Sequence, residues 1–205
     1  RPVALDGQRR VRISKKPDTP IQASALAIES RDNDNTLDQA IIVSCDLVAI
    51  RDGVLQTVRD KLVGRLPDFD LQKLFLSATH THTAPVTTDG KYALPEDGSI
   101  MPPLEYTDWM TSKIADLAVE AWQKRAPGKV AWGLSVAVVA QNRRPYYADG
   151  KAIMYGKTDS PNFRGIEGHE DHSVDVLYFW NASDKLIATA INVPCPSQEA
   201  GGNSS

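Results

Sequence analysis

Two histidines one residue apart, His80 and His82, close the run Leu74-Phe-Leu-Ser-Ala-Thr-His-Thr-His-Thr-Ala-Pro85. An apolar, β-like segment leads straight into them. In an extended chain alternate side chains share a face, so both imidazoles are expected on the side of Leu76 and Ala78. Two neutral imidazole nitrogens converging at a strand end suit a first-row metal, which binds them at about 2.0–2.1 Å. The competing reading is a polar pair held by hydrogen bonds where a strand passes into a loop. The chain has four histidines, and the other two, His169 and His172, also sit together, in Gly168-His-Glu-Asp-His172. Such clustering of one ligand type favours a site.

Further candidates lie elsewhere. Asn142-Arg-Arg-Pro-Tyr146 follows a β-rich run, at a strand end. Asp46 ends a continuous β-branched run, the position at which open α/β sheets collect ligands; a helix N-cap or turn carboxylate is the alternative. His172 is balanced between an active-site group and a hydrogen-bonded loop residue. Cys45 and Cys195 make no disulfide framework, and each is either a buried structural thiol or a functional one.

These residues need elements to position them. Residues 1–20 are basic, polar and bounded by prolines, which reads as a surface arm or short strand with no assignable chemistry. Gln22–Glu29 and Ala40–Leu47 flank a polar turn at 30–35, predicting a hairpin whose second strand is central. Val54, Leu55, Val58, Leu62 and Leu66 share one helical face, and Leu71–Ala78 is the next strand, so residues 40–79 form a parallel β-α-β unit with the histidines at its carboxyl end. A long aperiodic loop over 84–103 precedes a helix over Glu105–Arg125, whose stripe of Trp109, Ile114, Leu117, Ala118, Ala121 and Trp122 predicts tryptophans in the core. Lys129–Gln141 is β-rich and is expected to deliver Asn142 and Arg143 at a strand end. After a second polar segment over 146–172, Val174–Trp180 and Lys185–Val193 flank Asn181-Ala-Ser-Asp184 as a hairpin. The order predicts a single α/β domain over residues 1–205, with a mixed β-sheet, packing helices and an active site at strand carboxyl ends.

Composition bounds the function. A chain of 205 residues with 41% hydrophobic and 24% charged side chains can bury a substantial core, which sets disorder aside. The net charge of -3 and the lack of a basic run interleaved with aromatics argue against nucleic-acid binding. No apolar run reaches the ~18 residues that a membrane-spanning helix needs.

The His motif carries a resemblance. Ser77-Ala-Thr-His-Thr-His-Thr-Ala-Pro85 resembles the Thr-His-Thr-His-Ser-Gly-Pro zinc-ligand motif of the neutral/alkaline, non-lysosomal ceramidases. Asn142-Arg143 looks like that family's Asn-Arg-Ser-Pro segment, Asp46 sits where the family has an Asp after an early central strand, and the Val174–Cys195 region is similar to strands that end in a second metal-binding His. The resemblance implies a zinc-dependent hydrolase of an N-acyl amide bond, secreted or periplasmic, with a lipid, glycan or other small-molecule substrate. It implies His80 as a zinc ligand, His82 as acid/base or oxyanion partner, and Arg143, with Asn142 and His169, toward the substrate. Cys195 stands where the family has its second His, as a thiolate ligand or as a sign that Asp171, His172 or His169 replaces it; Thr-Ala-Pro replaces Ser-Gly-Pro. The family's remaining acidic and tyrosine ligands and its catalytic serine segment fall beyond this sequence, so the chain is expected to be the N-terminal part of a longer catalytic domain.

Two other functions stay open. The loops over 84–103 and 146–172 are rich in Asp, Gly, Lys and Arg, more natural around a carbohydrate or other polar substrate than around a lipid. A non-catalytic metal- or carbohydrate-binding module would keep the scaffold without the chemistry.

Overall fold

The computed structural model describes residues 1–196. β1 (Val3–Leu5) and β2 (Arg12–Ser14) pair antiparallel, with Ala4 opposite Ile13. Of the two readings, surface arm or short strand, the short strand holds, and it is partly interior: Ala4, Leu5 and Asp6 are buried. The cause lies far along the chain. Asp6 N donates to Ala84 O and Val86 N to Ala4 O, both at 2.8 Å, so β1 is stitched to a distant loop that local composition does not reveal.

β3 (Ala23–Asp32) and β4 (Asn35–Cys45) form the predicted hairpin, reversing through Asn33 at φ 52°, a conformation that Asn tolerates better than most side chains. β4 is central. The helix α1 (Val54–Leu62) follows, with Val54, Val58 and Leu62 buried at four-residue spacing. β5 (Leu74–Ala78) then pairs parallel with β4, from Ile41 opposite Leu74 to Cys45 opposite Ala78. The sheet order β3-β4-β5 is thus mixed, as expected. Leu71–Lys73, read as the start of that strand, is a 3-10 turn instead, because the Asp70 carboxylate accepts from Gln72 N at 2.9 Å and caps it.

The helix α2 (Pro103–Gln123) begins on a proline, whose missing N–H costs nothing there. Its buried face is Tyr106, Met110, Ile114, Ala118 and Trp122, again four apart, and it packs with α1 over the sheet. Ile41, Val43, Val58, Leu62 and Leu74 are fully enclosed, each worth about 1.5–3 kcal/mol of burial. Trp122 fits the expectation of a core tryptophan; its indole donates to Asp68 at 3.0 Å, and Arg125 stacks on its ring at 3.6 Å. Trp109 does not, being 55% exposed, since it sits about 100° around the helix from Met110.

Arg1–Arg125 belong to one compact unit, and residues Ala126–Pro196 form another of their own. β6 (Gly128–Val136), β7 (Pro145–Tyr147), β8 (Phe163–Ile166), β9 (Ser173–Asn181) and β10 (Leu186–Asn192) build it. One sheet runs β10-β9-β6 and β7 pairs with β8, all antiparallel. The β9–β10 hairpin closes as predicted, its turn held by the Asn181 side chain accepting from Ser183 N and Lys185 N at 3.0 Å each. β6 stops at Val136, short of the predicted Gln141, its pairing with β9 followed by one more backbone bond, from Ala137 N to His172 O at 2.9 Å. Among the described residues no helix is long and apolar enough to cross a membrane.

Candidate functional site

The histidine pair meets by a different route from the one the pleat suggests. Thr79 N makes the last sheet-like bond, to Cys45 O at 3.0 Å, and His80 then turns to φ 62°, which ends the alternation. A tight turn at residues 82 and 83 brings the His82 ring back edge-on to His80, with centroids 4.9 Å apart and planes at 66°. The two rings are together, as expected, but through a left-handed residue rather than through extended geometry. Neither is buried in apolar packing.

His80 is chemically oriented. Its Nδ1 lies 2.7 Å from Val48 O, and because a carbonyl only accepts, Nδ1 carries the proton. The lone pair is therefore on Nε2. This is the arrangement by which a backbone carbonyl fixes the tautomer of a metal-binding histidine.

His82 is held by the N-terminal hairpin. Arg12 donates to the His82 carbonyl, and the ring hydrogen-bonds the Gly7 backbone. Partial burial and the neighbouring His80 depress the proton affinity of the His82 imidazole, Asp6 raises it, Arg12 opposes Asp6 and the Gly7 bond supports the cation; the balance lies below the ordinary 6.5. The ring is thus neutral near pH 7 and able to take a proton.

Asp6 is the residue that sequence reasoning missed. Its side chain is buried; Oδ1 accepts from Gly7 N at 2.6 Å and from Lys91, and Oδ2 accepts from Arg51 at 3.2 Å. Burial pushes its carboxyl upward, but these three donors outweigh it and hold the group below 3.8. The only local signal is the Asp-Gly pair, which marks a turn and nothing more.

Asp46 takes the turn-carboxylate role. It accepts from Gln22 N at 3.0 Å and from Thr79 Oγ1 at 3.2 Å, tying the approach to β3 to the residue before His80. Cys45 is a core thiol, raised to about 11 by burial and by Asp46.

The remaining candidates all belong to the second unit. Arg143 lies in the irregular stretch after β6 rather than at its end, and its guanidinium sits 4.9 Å over the Tyr155 ring. Asn142 N donates to Glu170 Oε1 at 2.5 Å, and Glu170 Oε2 lies 3.3 Å from His172 Nε2, so one carboxylate joins two predicted site residues. His169 is exposed, and Asp171 is occupied in bonding Ser173 N and Oγ. Cys195 is unpaired by disulfide and points its Sγ to Val139 O at 3.7 Å.

The neutral ceramidase of Pseudomonas aeruginosa superposes over 95% of this chain with a TM-score of 0.61 at 19% identity. The fold of this chain is thus similar to part of a neutral ceramidase. A ceramidase solved in complex with C2 matches at TM-score 0.54 and 20% identity, again over 95% of this chain. The chain spans 29% and 27% of those two proteins, less than a third of either. No family model and no curated protein sequence matches it.

In this ceramidase-like fold the fit to a metal is partial. His80 is prepared as one donor, yet among the described residues no three His, Cys, Asp or Glu side chains gather into a metal-binding group. A tetrahedral zinc needs more donors than these residues assemble.

Proposed function

We infer that this chain supplies part of the active site of a ceramidase-like hydrolase that cleaves the amide bond of an N-acyl substrate. One observation supports this most: His80 Nδ1 is tied to Val48 O, which leaves Nε2 as the donor nitrogen, with the His82 ring 4.9 Å away. In this reading His80 donates Nε2 to a divalent ion, zinc by resemblance, whose other ligands include groups outside the described residues. Such an ion, when bound, polarises a carbonyl and acidifies water. His82 takes up and returns the proton that hydrolysis moves. From the second unit, Arg143 is proposed to stabilise negative charge, Asn142 and His169 to bind substrate, and His172 and Cys195 to serve as further metal donors. A secreted or periplasmic location is part of the same proposal, as is the chain's being one portion of a longer catalytic domain.

The test is metal content and hydrolysis together, on full-length protein with an N-acyl sphingoid substrate. His80→Ala is expected to lose both stoichiometric zinc and turnover. His82→Ala is expected to keep zinc and lose about 10²–10⁴-fold in kcat, the usual worth of a positioned proton-transfer group. Full-length protein with neither bound metal nor amide hydrolysis overturns the reading.

The polar set around Asn142, Glu167, Glu170 and His172 favours a second possibility, a carbohydrate or other polar substrate for the same hydrolase. Glycosides and N-acyl compounds offered side by side separate the two. Binding of either without turnover would instead support a non-catalytic module.

A further inference from the structure

The β1–β2 hairpin grips His82 at three levels. Arg12 donates to its carbonyl, Gly7 bonds its ring, and β1 is bonded to the residues just after it, at Ala84 and Val86. The fit at Gly7 leaves no room. A Cβ there would lie 2.4 Å from His82 Cγ and 2.8 Å from Nδ1, and its φ of +91° disfavours any L side chain besides.

A surface Asp-Gly turn needs no buried carboxylate, but this one has it. Asp6 is 3% exposed and gathers the Gly7 amide, Arg51 from the segment before α1, and Lys91 from the long loop after the histidines. Those partners are 45 and 85 residues away in the chain. One carboxylate therefore fixes the hairpin turn, the segment before α1 and the loop behind His82 against each other.

We propose that Asp6 and Gly7 are positioning residues for His82: the anchored carboxylate presses the glycine turn against the imidazole and sets the ring's orientation beside His80. The consequence for turnover rests on the hydrolase reading; the contact itself does not. Neither residue touches reacting atoms in this account, and both act through the ring.

The test uses full-length protein labelled with ¹⁵N-histidine, the His82 ring signals being identified by their loss in His82→Ala. In Gly7→Ala the His82 ring signals shift while those of His169 and His172 stay, and far-UV circular dichroism is unchanged. Gly64→Ala is the control: it carries a similar left-handed backbone, φ +76°, with nothing within 4 Å of the new methyl group, and it leaves the His82 signals where they are. Asp6→Asn, which adds no bulk, shifts the ring signals in the same way and carries the test if Gly7→Ala does not fold. Against an N-acyl sphingoid substrate, Gly7→Ala lowers kcat by about 10–100-fold with KM within about threefold, the cost of displacing a reacting group by about 1 Å. Unmoved His82 signals in folded Gly7→Ala and Asp6→Asn overturn the proposal even if the wild type hydrolyses amides. Shifted signals in a protein without hydrolase activity leave the positioning intact and remove the hydrolase reading alone.

Discussion

The two units of this chain hold their candidate residues in opposite ways. In the first, β4, β5 and both helices enclose a continuous apolar core, and the groups around His80 and His82 hang from it through backbone bonds and a buried carboxylate. In the second, Phe179 and Pro145 are the buried apolar side chains among the described residues, whereas Trp132 and Leu134 are 83% and 72% exposed. Arg143, Asn142 and His172 there rest on surface contacts. The contrast teaches where orientation is built in: a ring bonded to a fixed carbonyl in a packed unit has little freedom, while a guanidinium stacked on an exposed tyrosine keeps much of its own.

Core truncation gives the widest separation between the units. Ile41→Ala is expected to destabilise the first unit by about 2–5 kcal/mol, the range for emptying a fully enclosed aliphatic site, while Trp132→Ala changes urea unfolding by no more than about 0.5 kcal/mol. Equal losses would show that the exposed sheet is packed as tightly as the core. Thiol chemistry comes next. With Cys45 raised to about 11 from 9.0, its thiolate fraction at pH 8 is roughly a hundredfold below that of a free thiol, so native protein should leave Cys45 unmodified by iodoacetamide until urea opens the core. Mass mapping of the labelled residues decides this.

Asp6 sharpens the comparison through pH. Its carboxyl is held below 3.8 in the folded state, so ionised Asp6 stabilises the fold at neutral pH, and that contribution disappears as pH falls through the lowered value. Asp6→Asn should therefore cost about 2 kcal/mol at pH 7 and less at pH 2–3, read from urea midpoints at each pH. A constant difference across that range would mean that the charge of Asp6 contributes nothing. The smallest effect is expected at Tyr155→Ala, which removes the ring under Arg143: about 0.5–1 kcal/mol at an exposed site, seen as broadened Arg143 side-chain resonances.

Much of the scaffold could be read from local pattern. Val54, Val58 and Leu62 announce a helix by spacing alone, and the β9–β10 hairpin follows from two apolar runs around Asn181-Ala-Ser-Asp184, because those signals involve neighbours a few residues apart. Trp109 shows where pattern reading ends. It shares the helix with Trp122 yet faces solvent, since which part of a broad apolar stripe is covered depends on what packs there.

Residue types and spacing alone established the α/β framework and the closeness of His80 to His82, because short-range periodicity is a property of adjacent residues. Folding in three dimensions settled the rest: the proton on His80 Nδ1 depends on Val48 O, 32 residues away, and the pose of His82 depends on Gly7 and Asp6. Hydrogen bonds and steric contacts act over a few ångströms of space whatever the separation along the chain, so such partners leave no trace in local order.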